Sequence, residues 1–140
     1  MKLTIAQALQ KGVEAHRGGR LQEAERFYRA ILGSQPSHPD ANHNLGVLTV
    51  SLNKAEAALP LFKAALEANP KIEQFWLSFT AAYYNLGCSL YQMSRLKDAT
   101  KSFRQAIVLK PDYAEANNNC GVTLKEQGEL EKATALYTWA

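Results

Sequence analysis

Three amide side chains carry the plainest chemistry in this 140-residue chain. Asn44, Asn85 and Asn119 each stand two residues before a glycine, at Gly46, Gly87 and Gly121. A primary amide both donates and accepts hydrogen bonds, so a row of them matches the backbone of an extended peptide without demanding one side-chain sequence. Without a ligand, the same groups bond to one another and to water. Asp40, His43, Tyr84, Gln92, Asn118 and Glu126 lie beside these asparagines or at helical spacing from them. On helices they would line the same face.

Other chemistry is sparse. His16, His38 and His43 have no CxxC or HExxH partner pattern, so tetrahedral metal ligation is not expected and surface roles are. Cys88 and Cys120 are too few for a disulfide framework and read as buried or groove-facing thiols in a reducing compartment. No nucleophile elbow, phosphate-binding glycine loop or convergent carboxylate pair is present, so neither an enzyme nor a cofactor is expected.

The elements that must position the amides follow from a repeat. Gly12, Gly46, Gly87 and Gly121 are 34, 41 and 34 residues apart. Ala24, Ala58, Ala99 and Ala133 keep those intervals, as do Tyr28, Phe62, Phe103 and Tyr137. Pro36, Pro70 and Pro111 close the units. Within each unit, three- and four-residue apolar spacing marks two helices. The spacing predicts helices over about 3–17, 21–33, 39–52, 54–68, 73–93, 96–109, 113–127 and 130–140, with turns at Gly18-Gly19, Asn53, Ser94 and Gly128. Small residues let the two helices of a hairpin approach, and the ring fills the layer beside them. Capping boxes are expected at Ser37–Asp40 and Asp112–Glu115, and a mild bend at Pro60.

Composition agrees with an ordinary compact protein. Hydrophobic residues make up 46%, and the formal net charge is +3. Neither half is basic enough to neutralise many phosphates, so nucleic acid is not the expected partner. No apolar run approaches the roughly 20 residues that span a bilayer. The first residues read as an amphipathic helix rather than a signal peptide, and a cytoplasmic setting is expected.

The markers Leu45-Gly46, Ala58, Phe62 and Pro70, with Tyr83, Leu86-Gly87, Leu90, Ala99, Phe103, Ala106 and Pro111, resemble the tetratricopeptide repeat family. Gly12, Ala15, Ala24, Tyr28 and Pro36 extend the likeness to the first unit, and Cys120-Gly121, Leu124, Ala133 and Tyr137 to the last. Lys11 and Cys120 replace the usual leucine before glycine, and the signature tryptophan is missing from units one, two and four. The resemblance implies an all-α, right-handed solenoid of antiparallel helix hairpins, a single array over 1–140 with about 3.5 repeats (3–36, 37–70, 71–111 and an incomplete 112–140). It also implies a protein-interaction scaffold that binds an extended peptide or helix in its concave groove. Similar asparagine ladders grip substrate peptides in arrays attached to protein glycosyltransferases. A substrate-recruiting segment of a larger bacterial transferase is therefore one alternative, and a self-assembling structural repeat another. The carboxylate clamp of chaperone-binding members is not expected, because Leu9, Val13, His43 and Val47 replace its cations.

Two irregularities set this chain apart. Seven extra residues lie between Pro70 and Gly87, about two helical turns, which lengthens the first helix of repeat three and hardly rotates its face. Counted forward from Pro70, Trp76 holds the family's tryptophan position; counted back from Gly87, Tyr83 does. A dislocation here is expected to leave Phe75, Trp76 and Phe79 available for self-association through residues 73–84. The chain also stops part-way through a helix at Trp139-Ala140. That suggests a piece of a longer array, or an end covered by a neighbouring molecule with Trp139 in the contact.

Overall fold

The computed structural model describes the backbone of residues 2–139 and the side chains of residues 2–134. Among the described residues there are seven helices and no strand: α1 (Ile5–Arg17), α2 (Leu21–Ser34), α3 (Pro39–Ser51), α4 (Ala55–Ala68), α5 (Glu73–Gln92), α6 (Leu96–Leu109) and α7 (Ala114–Trp139). They group into two compact units, Met1–Phe79 and Thr80–Ala140, so the division falls inside α5.

Each hairpin is closed by a ring wedged on a glycine. A Cβ built on Gly12 would meet the Tyr28 ring at 2.7 Å; on Gly46 it would meet Phe62, and on Gly87 Phe103, each at 2.6 Å. All three rings are fully buried, and the alanines four residues before them are at zero exposure. Burying one such ring stabilises the fold by roughly 1.5–3 kcal/mol, provided no side chain stands at the glycine. These wedges join α1 to α2, α3 to α4 and α5 to α6.

The hairpin turns share one hydrogen-bond pattern. Arg20 N donates to Ala15 O (2.8 Å), Lys54 N to Thr49 O (3.1 Å) and Arg95 N to Leu90 O (2.9 Å). The residue before each donor takes left-handed backbone: Gly19 (φ 77°), Asn53 (φ 61°) and Ser94 (φ 59°). This is the Schellman arrangement, which satisfies the last carbonyls of the first helix.

The fourth unit differs from expectation. α7 runs unbroken from Ala114 to Trp139, so the turn at Gly128 and the separate helix 130–140 are absent from the described backbone. Gly121 is exposed, and no described atom outside its own helix lies within 4 Å of a Cβ built there. Glycine accepts helical and left-handed backbone alike, so Gly128 alone does not force a turn. Tyr137, the expected ring of this unit, has its side chain outside the described residues. α4 carries Pro60 on its exposed side and remains a single helix.

Helix starts also correct the expected caps. A full capping box forms at α1, where Thr4 Oγ1 accepts from Gln7 N (3.1 Å) and Gln7 Oε1 from Thr4 N (2.9 Å). At α3, Pro39 takes the first helical position, so His38 becomes the cap in place of Ser37, and its Nδ1 accepts from Ala41 N (3.1 Å). α7 starts after Tyr113, whose carbonyl accepts from Asn117 N (3.0 Å); Asp112 therefore lies one residue too early to cap it.

A strap recurs after the proline that closes each of the first three repeats. Six residues after the closing proline, a side chain donates back to the proline carbonyl: Asn42 to Pro36 (3.0 Å), Trp76 Nε1 to Pro70 (2.8 Å) and Asn117 to Pro111 (3.1 Å). Trp76 thus keeps the register counted forward from Pro70. The glycine follows ten residues after Pro36 and Pro111 but seventeen after Pro70, and α5 has 20 residues where α3 has 13.

Candidate peptide-binding faces

In the first unit, α3 presents His43, Asn44 and Val47 toward a shallow hollow of about 360 Å³, completed by Val13 and Arg17 of α1 and Gln74 of α5. His43 is the anchor of this wall. Its ring stacks on Phe75 (centroids 4.7 Å apart, planes at 29°) and leans on Phe62 at 5.7 Å. Its Nε2 pairs with Ser78 Oγ at 2.8 Å and its Nδ1 lies 3.4 Å from Asn44 Oδ1. Burial pushes the imidazole below its ordinary value, against weaker opposing pulls from the Asn44 amide and the Asp40 charge. Burial thus favours the neutral ring, which accepts at one nitrogen and donates at the other.

The expected surface roles of the histidines are therefore corrected at two positions. His43 is packed between rings, and His38 caps α3. His16 is half-buried, edge-on to Tyr28 at 6.4 Å. Among the described residues, no three His, Cys, Asp or Glu side chains gather as a metal site would require.

In the second unit, α5 and α7 enclose a hollow of about 290 Å³ that brings together Cys88, Gln92, Asn119 and Val122, with Tyr91 and Thr123 beside them and Phe103 of α6 as its floor. Asn119 Nδ2 donates to Tyr84 Oη at 2.9 Å and lies 3.9 Å from Cys88 Sγ. Tyr84 is pushed up to about 12, first by burial and then by its contact with Cys88, so it remains a phenol. Its ring sits between Tyr113 (5.1 Å) and Phe103 (5.9 Å). Tyr91 Oη donates to Glu126 Oε1, and that bond is the main reason its hydroxyl is held above the usual phenol range. Cys120 is buried and Cys88 half-buried, both with free thiols.

Not every expected residue joins these faces. Asn85 and Asn118 are exposed and line neither hollow, and Asp40 is exposed near the start of α3. Asn44 and Asn119 each line the hollow of their own unit. The aromatic cluster offered for self-association is corrected at Phe75, which is only 3% exposed because it fills the core beside Ala65 and Leu66. Phe79 packs against the same cluster; Trp76 keeps 41% exposure while its Nε1 is tied to Pro70. The Trp139 side chain lies outside the described residues.

Sequence reasoning missed Ser78, Tyr91 and Thr123. A signal for the first two existed. His43–Ser78, Tyr84–Asn119 and Tyr91–Glu126 are each separated by 35 residues, one more than the repeat period. Adjacent first helices therefore touch at one residue past the repeat, a rule that the 34-residue spacing contains.

Known proteins agree with this architecture. The tetratricopeptide repeat profile matches residues 9–73, and a second TPR repeat profile matches residues 87–128. Tetratricopeptide repeat protein 8 of Caenorhabditis elegans is 30% identical over 123 residues, which are 86% of this chain and 23% of that protein. Protein O-mannosyl-transferase TMTC3 of Homo sapiens is 27% identical over 113 residues, 80% of this chain and 12% of the relative. The chain thus spans less than a quarter of either relative. Among solved structures, the first TPR of Spaghetti (RPAP3), bound to an HSP90 peptide, superimposes with a TM-score of 0.56 at 22% identity, covering 89% of this chain and 93% of that one. No helix among the described residues is long and apolar enough to cross a membrane. With its glycine–ring hairpins, proline-closed units and matched repeats, this chain belongs to the tetratricopeptide repeat family.

Proposed function

We propose that this chain is a protein-interaction module whose first-helix faces hold an extended polypeptide. The observation that carries the reading is the second-unit hollow, where Asn119, Cys88, Gln92 and Val122 surround an open space floored by Phe103. Its amides serve the peptide backbone and its apolar floor takes a side chain, the combination that small binding sites use. The first unit offers a similar set in His43, Asn44 and Val47. The peptide held by the related domain of Spaghetti supports a peptide ligand here as well. His43, Asn44 and Asn119 are already held by hydrogen bonds, which limits the entropy lost on binding. Two free thiols suit a reducing, cytoplasmic setting.

The test is selection of binders from a random-peptide display library, followed by affinity measurement on variants. N44A and N119A should each weaken a selected peptide about fivefold, the worth of one hydrogen bond. V122E should abolish binding by placing a charge at the hollow. Unchanged affinity in all three variants would overturn the reading.

A second reading has one supporting observation. The likeness to an O-mannosyl-transferase, covering 12% of that protein, fits a substrate-recruiting segment of a larger transferase. Finding a catalytic domain in the same gene product, with turnover of peptide substrates reduced by N119A, would favour it.

A further inference from the structure

The polar groups around the second-unit hollow are unevenly spent. Asn119 commits its amide nitrogen, which donates to Tyr84 Oη at 2.9 Å and lies 3.9 Å from Cys88 Sγ; among the described residues nothing donates to its Oδ1. Tyr91, on the wall of the hollow, gives its hydroxyl hydrogen to Glu126 Oε1, and Oε2 of that carboxylate is left without a described donor. Gln92, exposed at the end of α5, keeps both halves of its amide open. What α7 offers a ligand here is therefore acceptor oxygen. The charges run the same way. At 100° per residue Glu115, Asn119, Val122 and Glu126 fall within an arc of about 60° on α7, with a carboxylate at either end. Among the described residues neither glutamate is in an ion pair. The α7 cations Lys125 and Lys132 lie about 100–120° round the helix from Glu126. On α6, Lys97, Lys101 and Arg104 are exposed about 100–160° away from Phe103, whose ring floors the hollow. α5 carries no charged residue from Thr80 to Gln92. Lys110 lies over the Tyr113 ring at 5.3 Å, before α7 begins and outside the hollow.

We infer that the partner of this hollow is a basic stretch of polypeptide, with a lysine or arginine whose methylene stem lies over Val122 and the Phe103 ring and whose cationic head meets Glu126 Oε2. This rests on the peptide-binding reading above and names its ligand. Long cationic side chains suit such a place, because the stem covers apolar surface while the head stays at the wet edge. Tyr91 already holds the Glu126 carboxylate, so little side-chain freedom is lost when the cation arrives. Asn119 Oδ1, about 10 Å back along α7, accepts a backbone N–H of the same stretch. An acidic peptide would instead bring its carboxylates toward Glu126 with no cation lining the hollow to offset them.

Two peptide display libraries make the test, one fully random and one made without lysine and arginine, each selected on the full chain and screened again on V122E. The random library should yield binders that V122E loses and that share a lysine or arginine at one position; the second library should yield none of comparable affinity. With a labelled peptide from that selection, fluorescence anisotropy should show E126Q weakening binding about tenfold, the worth of a hydrogen bond to a charged group. E131Q makes the same change of charge about 140° round α7 and should leave affinity unaltered. Replacing the peptide's basic residue by glutamine should remove the effect of E126Q, as a directly coupled pair requires. Binders lost in V122E that lack a basic residue, or that hold E126Q as tightly as the wild type, would overturn the basic ligand and leave the peptide-binding reading standing. No V122E-sensitive binder from either library would overturn the hollow as a peptide site, and this inference with it.

Discussion

At the scale of single residues, the strongest constraint is the contact between glycine and ring. Gly46→Ala would set a methyl group 2.6 Å from Phe62, whose ring is walled in and cannot withdraw. The expected loss is about 1–3 kcal/mol, read as a lower urea midpoint with unchanged slope. Gly121→Ala meets nothing among the described residues, so it should be neutral or slightly stabilising. His43 gives a pH dependence. Its folded pKa lies below the ordinary 6.5, so below that value the unfolded chain binds more protons than the folded one. Stability is complete above about pH 6.5 and declines as pH falls from there through the folded value. Melting temperatures of the wild type and H43Q between pH 5 and 8 check this: the decline attributable to His43 should vanish in the variant.

At the scale of elements, the proline straps give a graded test. Asn42 is 3% exposed, and its amide serves both Pro36 O and His38 O. Asn117 makes the equivalent bonds in the open. Asn42→Ala should cost about 1–3 kcal/mol in chemical denaturation, and Asn117→Ala less than about 1 kcal/mol, because the Asn42 side chain is packed in the interior whereas that of Asn117 stands in water. The helices themselves were legible in the sequence. α2, α4, α5 and α6 lie within a residue of the ranges that apolar spacing implies, since glycine, alanine and ring recur at fixed offsets. Caps were less legible: Ser37 and Asp112 have the right side chains, but Pro39 and the start of α7 moved the helix ends past them. The role of His43 was harder to read, because it depends on Phe75 and Ser78 reaching it from α5, and the 35-residue offset to Ser78 gains meaning only once the first helices are placed side by side.

At the scale of the whole molecule, the seven additional residues of α5 separate two registers. Trp76 answers to Pro70 and belongs with the first unit, whereas Gly87 answers to Phe103 and belongs with the second. Deleting residues 77–83 would place Trp76 four residues before Gly87, as Asn42 stands four before Gly46, and merge the two registers. With Trp139 replaced by phenylalanine, Trp76 fluorescence reports the first unit alone while circular dichroism reports all helices. In the undeleted chain these two unfolding curves are expected to separate; in the deletion variant they should coincide as one two-state transition. Coincident curves before deletion would show that the two units melt together. The 41-residue interval announced this feature in the sequence, but which aromatics it left outside the core did not follow from spacing: Phe75 went in, and Trp76 stayed at the surface on its strap.

The strap itself has a use in construction. Its acceptor is always a proline carbonyl and its donor always six positions on, yet the donor is an amide at two junctions and an indole at the third. The joint tolerates different chemistries so long as the offset is kept. A chimaera spliced just after Pro36, Pro70 or Pro111 would carry its own fastener into any new neighbour ending in the same proline, which makes those three positions natural crossover points for recombining units of this kind into longer arrays.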